Sequence, residues 1–232
     1  MLSLKVLATG SSGNCYLLTC DTNGKTLILD AGIPIKEIRR GLDYNMNSVS
    51  AVFVSHTAHR DHGLAVDDLR KSGIPIFDPC NSAMLHRVFS LDGFVLKSFH
   101  LPHDGVENRG VYITAPNGHR MLYMTDYEYC PYRFFNQALN TLLIECNYCK
   151  SMLDPDEEKY NHVLRGHAEL DTVKGIVEAN KTTQLRNVIL CHLSYTSADE
   201  DEILDTIRGV VDVDVNVMIA KAGMEISLDS VF

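Results

Sequence analysis

Short apolar runs alternate with clusters of turn residues from the start of the chain, the pattern of strands joined by tight loops. Residues 2–8, 15–19 and 26–29 read as strands, divided by Gly10-Ser-Ser-Gly13-Asn14 and by Asp21-Thr-Asn-Gly24. Asn23-Gly24 predicts a hairpin, because a two-residue turn needs φ > 0. Residues 34–40 read as a helix, with Pro34 near its first turn and Gly41 just past its end. Strands and helices then alternate. Strands are expected at 49–54, 74–77, 94–99, 110–114, 120–124, 141–145, 188–191, 213–219 and 224–228, and helices at 64–71, 82–89, 131–139, 169–179 and 199–208. Asn117-Gly118 makes a second hairpin, and the apolar positions 170, 173, 176 and 177 repeat with a helical period.

Each half of the chain is a meander of strands followed by strand–helix alternation. That plan predicts two sheets packed face to face with helices outside, an α/β four-layer sandwich. No internal repeat, low-complexity tract or linker divides the 232 residues, so 1–232 reads as a single domain.

Composition narrows the class. With 45% hydrophobic and 22% charged residues the chain is globular, which excludes disorder, collagen and coiled coil. No run of 18 apolar residues occurs, and the first residues lack the apolar core of a secretory signal, so a cytoplasmic protein without a membrane partner is expected. Seven cysteines, odd in number and scattered, fit reduced thiols and not a disulfide framework. A net charge of −9 opposes phosphate polyanions, so any nucleic-acid role requires a local basic patch or bound metal cations.

Ten histidines alter the picture, because three of them fall in Ser55-His56-Thr-Ala-His59-Arg-Asp61-His62, directly after a predicted strand. A strand fixes the origin of such a loop, and imidazoles with a carboxylate suit zinc, manganese or iron. His103, Asp126 and His192 each follow a later strand and are further candidate ligands. Gly10-Ser-Ser-Gly13 lacks the lysine and helix of a nucleotide loop and reads as a turn beneath the site, whose amides could hold a substrate anion. Cys146 and Cys149 stand without a second cysteine pair, so they are weak evidence for zinc. His86, His100, His119 and His162 read as surface or capping residues.

These stretches resemble the metallo-β-lactamase superfamily, whose signature is His-x-His-x-Asp-His after a strand, followed by a His, an Asp and a final His on later strand ends. Within it the chain looks closest to the YycJ/WalJ-like group of metal-dependent hydrolases. The matching stretches run in family order: Thr9-Gly-Ser-Ser-Gly-Asn14, Leu27-Ile-Leu-Asp-Ala-Gly32, the histidine cluster, Leu101-Pro-His-Asp104, Tyr123-Met-Thr-Asp126, Leu143-Ile-Glu-Cys-Asn147, Arg165-Gly-His167 and Leu190-Cys-His-Leu-Ser194. The resemblance implies an αββα sandwich with two divalent metal ions, zinc first and manganese or iron as alternatives. Residue by residue, it implies that His59 and His103 hold the first metal, that Asp61, His62 and His192 hold the second, and that Asp126 lies between them, with His56 a further candidate for the first. His167 resembles a family histidine, though Ala168-Glu169 replaces the family's Leu-Ser, and reads either as a group that contacts substrate phosphate or donates a proton or as a residue at the start of a helix; Asp30 resembles the superfamily's structural Asp near the metal loop.

The chain departs from the signature at one point. His56 lies one residue earlier than the family spacing, giving His-x-x-His-x-Asp-His. Either a bulged loop still delivers His56, or the first metal site is impaired.

The implied function is metal-dependent hydrolysis of a phosphodiester by a metal-activated water, with Asp61 and His167 as catalytic groups and DNA among the candidate substrates. Two other readings stay open: hydrolysis of a small ester (a cyclic phosphodiester or a lactone), and a non-catalytic nucleotide- or partner-binding relative. Metal identity, substrate, DNA polarity and oligomeric state are not encoded in these patterns.

Overall fold

The computed structural model describes residues 1–81, 88–156 and 160–229. β1 (Leu2–Ala8), β2 (Cys15–Cys20) and β3 (Lys25–Leu29) form an antiparallel meander. α1 (Ile35–Gly41) leads to β4 (Val49–Phe53), parallel to β3, and α2 (Arg60–Gly63) and α3 (Val66–Lys71) lead to β5 (Ile76–Phe77), parallel to β4. β6 (Val88–Leu91), β7 (Phe94–His103), β8 (Val106–Thr114) and β9 (Arg120–Met124) make a second antiparallel meander. β10 (Thr141–Glu145), α4 (Tyr160–Gly166), α5 (Leu170–Asn180), β11 (Asn187–Cys191), α6 (Glu200–Arg208) and β12 (Asn216–Ile219) follow, with β9 to β12 linked by parallel pairings. β13 (Glu225–Ser227) returns to the edge of the first sheet beside β1.

The described strands thus form two mixed sheets, ordered β13-β1-β2-β3-β4-β5 and β12-β11-β10-β9-β8-β7-β6. Strand alternation shows how they are covered. In β4, Ala51 and Phe53 face the other sheet, while Val52 faces α1 and α3. In β10, Leu143 faces the other sheet and Leu142 and Ile144 face α5 and α6. Every residue of both strands is buried, Ser50, Thr141 and Glu145 included, so apolar residues do not alternate with exposed polar ones. The layers are αββα, as the sequence plan predicted.

Three local expectations are corrected. Residues 88 and 89, expected to end a helix, open β6: Val88 and Phe89 pair with Lys97 and Leu96 of β7, and Phe89 stacks on Phe77 with ring centroids 5.2 Å apart. The rest of that expected helix, 82–87, and His86 lie outside the described residues. The helix expected at 131–139 is absent: the segment is irregular apart from a single 3-10 turn at Phe135–Gln137, ended by Ala138 at φ +48°. Pro75 trims the strand expected from residue 74 to β5, since proline cannot donate to a ladder. No described helix is long and apolar enough to cross a membrane.

What matters for function is polarity. β3, β4, β7, β9, β10 and β11 all end at one edge of the sandwich, and the loops leaving those ends carry the histidines and acids.

Candidate metal centre

His56 follows β4, His59 precedes α2, and Asp61 and His62 sit in α2's single turn. His103 ends β7, Asp126 follows β9, Glu145 ends β10 and His192 follows β11. Three of these loop origins are unusual. Asp30, Asp126 and His192 have φ of +55°, +54° and +52°, each just beyond a strand. Left-handed backbone at a non-glycine costs roughly 1–3 kcal/mol and turns the side chain out of the strand's line.

The displaced histidine reaches the cluster. Thr57 and Ala58 are exposed while His56 is fully buried and His59 half-buried, so the additional residue bulges outward. Nε2 of His56 and Nδ1 of His59 are 3.3 Å apart. The backbone behind the loop is clamped, with Asn14 N donating to Asp61 O (2.7 Å) and Ala31 N to His62 O (2.8 Å). Gly32 presses so closely that a Cβ there would meet the Asp61 carbonyl oxygen at 1.6 Å.

Asp126 is the hub. Its Oδ2 lies 3.2 Å from His62 Nε2 and 3.8 Å from Nε2 of both His56 and His103, and its Oδ1 contacts His192 Nδ1. Asp61 Oδ2 is 3.5 Å from His62 Nε2. Ligand atoms of His56, His59, His103 and Asp126 all fall within 4.8 Å of one another, as do those of Asp61, His62 and Asp126, and those of Asp126, Glu145, His167 and His192. All eight residues singled out in the sequence therefore converge on one cleft edge, and Glu145 joins them.

Around the cluster, buried acceptors set the imidazole orientations. Asp30 accepts from Ser55 N (2.7 Å), Ser55 Oγ (2.9 Å), Tyr123 Oη (2.6 Å) and His62 Nδ1 (2.8 Å). His103 Nδ1 donates to the Gly166 carbonyl (2.7 Å), and Asn147 Nδ2 holds the His192 carbonyl (2.8 Å). Each bond at Nδ1 of His62 and His103 leaves Nε2 for the centre, the arrangement by which outer groups orient metal-binding histidines.

The residues fit a metal centre on two observations. Buried Nε2 atoms of His103 and His192 have no hydrogen-bond partner, a cost of about 1–3 kcal/mol each unless a cation takes them. Burial, reinforced by His62, pushes His56 down to about 2, and burial lowers His103, so both stay neutral imidazoles, the form that ligates. Burial would raise Asp126, yet His192 and His62 hold it well below the carboxylate range, keeping it charged. The imidazole and carboxylate donors suit zinc, manganese or iron.

Sequence reasoning missed Glu145. It is fully buried, its Oε1 accepts from His167 Nδ1 (2.6 Å), and its Oε2 accepts from Tyr127 N (3.0 Å). Burial would lower His167, but Glu145 more than offsets it and raises the imidazole to about 9. The acid at the end of a buried strand was the available signal. Asn14, 3.1 Å from His62 Nε2 through Nδ2, was likewise unassigned. His162 faces the same cleft and bonds Asp104 (2.9 Å), and His119, expected at the surface, is buried between Asp229 (3.1 Å) and Thr141 (2.9 Å) at the opposite edge. The cleft over the cluster has a volume of about 510 Å³.

No protein-family model matches this chain, and no curated protein sequence resembles it. Solved structures do. The metallo-β-lactamase fold protein YhfI from Bacillus subtilis matches with a TM-score of 0.72 at 18% identity, over 97% of this chain and 98% of that one. A diphosphatase from the PhnP family matches at 0.66 and 16% identity, over 98% of each chain. Human tRNase Z, short form, matches at 0.62 and 14%, over 98% of this chain and 100% of that one. The fold is the metallo-β-lactamase αββα fold.

Proposed function

We propose that the protein is a metal-dependent hydrolase of phosphodiesters. The observation that carries this reading is the convergence of His56, His59, Asp61, His62, His103 and His192 on Asp126, with two buried imidazole nitrogens left unpaired. His56, His59 and His103 would hold one divalent cation and Asp61, His62 and His192 a second, with Asp126 shared. Two of the fold neighbours are named for phosphoryl substrates, a diphosphatase and a tRNase, which supports this chemistry over lactone hydrolysis. The ordered matches from Thr9 to Ser194 favour the YycJ/WalJ-like group within the fold.

Divalent cations, when bound, supply Lewis acidity at the scissile phosphoryl oxygen and acidify water to a pKa of about 7. The remaining work belongs to the protein. Asp61 and Asp126 carry the negative charge that fixes the centre, and Asp61, at the cleft wall, orients the attacking group. Glu145 holds Nδ1 of His167, which leaves Nε2 facing the cleft. Raised to about 9, His167 carries a proton at neutral pH and delivers it to the leaving oxygen or to a phosphoryl oxygen.

The outward bulge at Thr57 and Ala58 favours an intact first site over a non-catalytic relative. The test is metal per chain by mass spectrometry, with turnover of bis(p-nitrophenyl) phosphate before and after chelation. About two metals, turnover lost on chelation and restored by metal, and loss of both in His56→Ala and Asp126→Ala are expected. Full metal content and activity in His56→Ala would overturn its assignment; a metal-loaded protein inert toward every phosphodiester would overturn the function.

A further inference from the structure

Beside the metal cleft lies a second cavity, of about 650 Å³, that the chemistry above does not use. The two are continuous: Ser11, Ser194 and Tyr195 line both. Their shared wall is fastened to the centre. His192 N donates to Thr9 Oγ1 (2.9 Å), and a Cβ on Gly10 would stand 3.9 Å from His192 Cδ2. Ser194 N donates to the carbonyl of Asn147, the residue whose side chain holds the His192 carbonyl.

Resting on the phosphodiesterase reading, we propose that this cavity is the subsite for a nucleobase attached next to the scissile phosphate. Tyr195 stands on the ridge between the cavities with its side chain completely exposed (101%), while its loop is pinned at Ser194 and at Ser197, whose carbonyl accepts from Cys149 N (2.8 Å). A rigidly based aromatic with a free face is a stacking platform, and every base offers a π-face. Leu193, Ala198, Ile219 and Ala220 give the cavity an apolar lining, and the exposed Ser11 and Ser12 offer hydrogen bonds at its rim.

Charge selects the occupant. Lys221, at the cavity wall, spends its ammonium on Glu200 at 2.7 Å, so the wall is suited to a neutral ring and not to a second phosphate. A diester held over Asp126 must project a substituent along the cleft, and the volume lies in the range of small-ligand sites, roughly 300–1,000 Å³.

Calorimetry on the metal-loaded protein tests this without turnover. Thymidine 5′-monophosphate is expected to bind at least about 10-fold tighter than methyl phosphate, the share a stacked base supplies. Tyr195→Ala and Ala220→Phe should each erase that advantage, and Tyr195→Phe should keep it. Tyr195 is wholly exposed, so its variants fold even if Ala220→Phe does not. Equal binding of the two ligands, or an advantage that survives Tyr195→Ala, overturns the subsite. A nucleotide advantage in a protein that hydrolyses no diester would keep the subsite and sink the phosphodiesterase reading. A short 5′-phosphorylated oligothymidylate separates the sources: both results support the base site, tighter binding than the mononucleotide pointing to a strand end and equal or weaker binding to a free nucleotide.

Discussion

Oε1 of Glu145 accepts a hydrogen bond from Nδ1 of His167 at 2.6 Å, joining the end of β10 to the loop that follows α4. The carboxylate is wholly buried and the imidazole lines the cleft over the histidine cluster, so the pair faces the cleft with its donor and hides the counter-charge.

That pairing sets a pH profile. With its value raised from 6.5 to about 9, His167 stays protonated across the neutral range and loses its proton only above it. The ion pair's contribution to stability is therefore full below about 6.5 and is lost as pH rises through about 9. Activity should follow the same limb: kcat/KM on bis(p-nitrophenyl) phosphate is expected to decline with a midpoint near 9. His167→Ala should reduce kcat roughly 10²–10⁴-fold and remove that limb. An unchanged alkaline limb in the variant would rule His167 out as the proton donor.

Asp30 offers a separate handle on the centre, since it touches His62 directly and reaches His56 Nδ1 by way of Ser55 Oγ. Its four donors all point at a carboxylate, and its φ of +55° is one that asparagine tolerates. Asp30→Asn should keep the backbone but replace one acceptor by an amide donor. Metal affinity, read by competition with a chromophoric chelator, should fall about 10–100-fold. Undiminished affinity would mean that His62 needs no orienting partner.

Much of the candidate site was legible because metal chemistry restricts residue types: His56, His59, Asp61 and His62 crowd one loop, and His103, Asp126 and His192 stand at the ends of later strands. The layers were legible for a related reason, since β4 and β10 are covered on both faces and show it as adjacent apolar residues, Ala51-Val-Phe53 and Leu142-Leu-Ile144, without polar alternation. What escaped was set by tertiary contact. Phe89 lies in a strand that pairs with β7 and stacks on Phe77, and residues 131–139 form no helix beyond one 3-10 turn, with Phe134 N held by Asn180 Oδ1 on α5. Glu145 escaped because its partner, His167, lies 22 residues away, a separation no local pattern reports.

Gly32 carries a steric prediction. A Cβ there would overlap the Asp61 carbonyl and approach Asn14 N at 2.9 Å, both backbone atoms of the clamp behind the histidine loop. Gly32→Ala must push that loop outward, at a cost of about 1–3 kcal/mol or more. A lower Tm together with loss of metal is expected. Gly175→Ala, in the exposed middle of α5 with open space around it, is the control and should stabilise by about 0.5–1 kcal/mol. Metal content that survives in Gly32→Ala would show that the clamp does not position the loop.

Salt separates a polymer-tracking enzyme from one that reads a single diester. Among the described residues near the cleft, Lys221 is paired with Glu200 and Arg109 with Glu107 (2.5 Å), which leaves the exposed Arg60 and Arg165 to meet backbone phosphates. Two such contacts on single-stranded DNA give a slope of log kcat/KM against log salt of about −1.4, at roughly −0.7 per neutralised phosphate. Turnover of bis(p-nitrophenyl) phosphate should be nearly flat over the same range. The net charge of −9 opposes that slope, since it weakens the approach of any polyanion at low salt and is screened as salt rises. A slope on single-stranded DNA steeper than about −4 would require at least five or six neutralised phosphates, and so a basic track that these four side chains do not make.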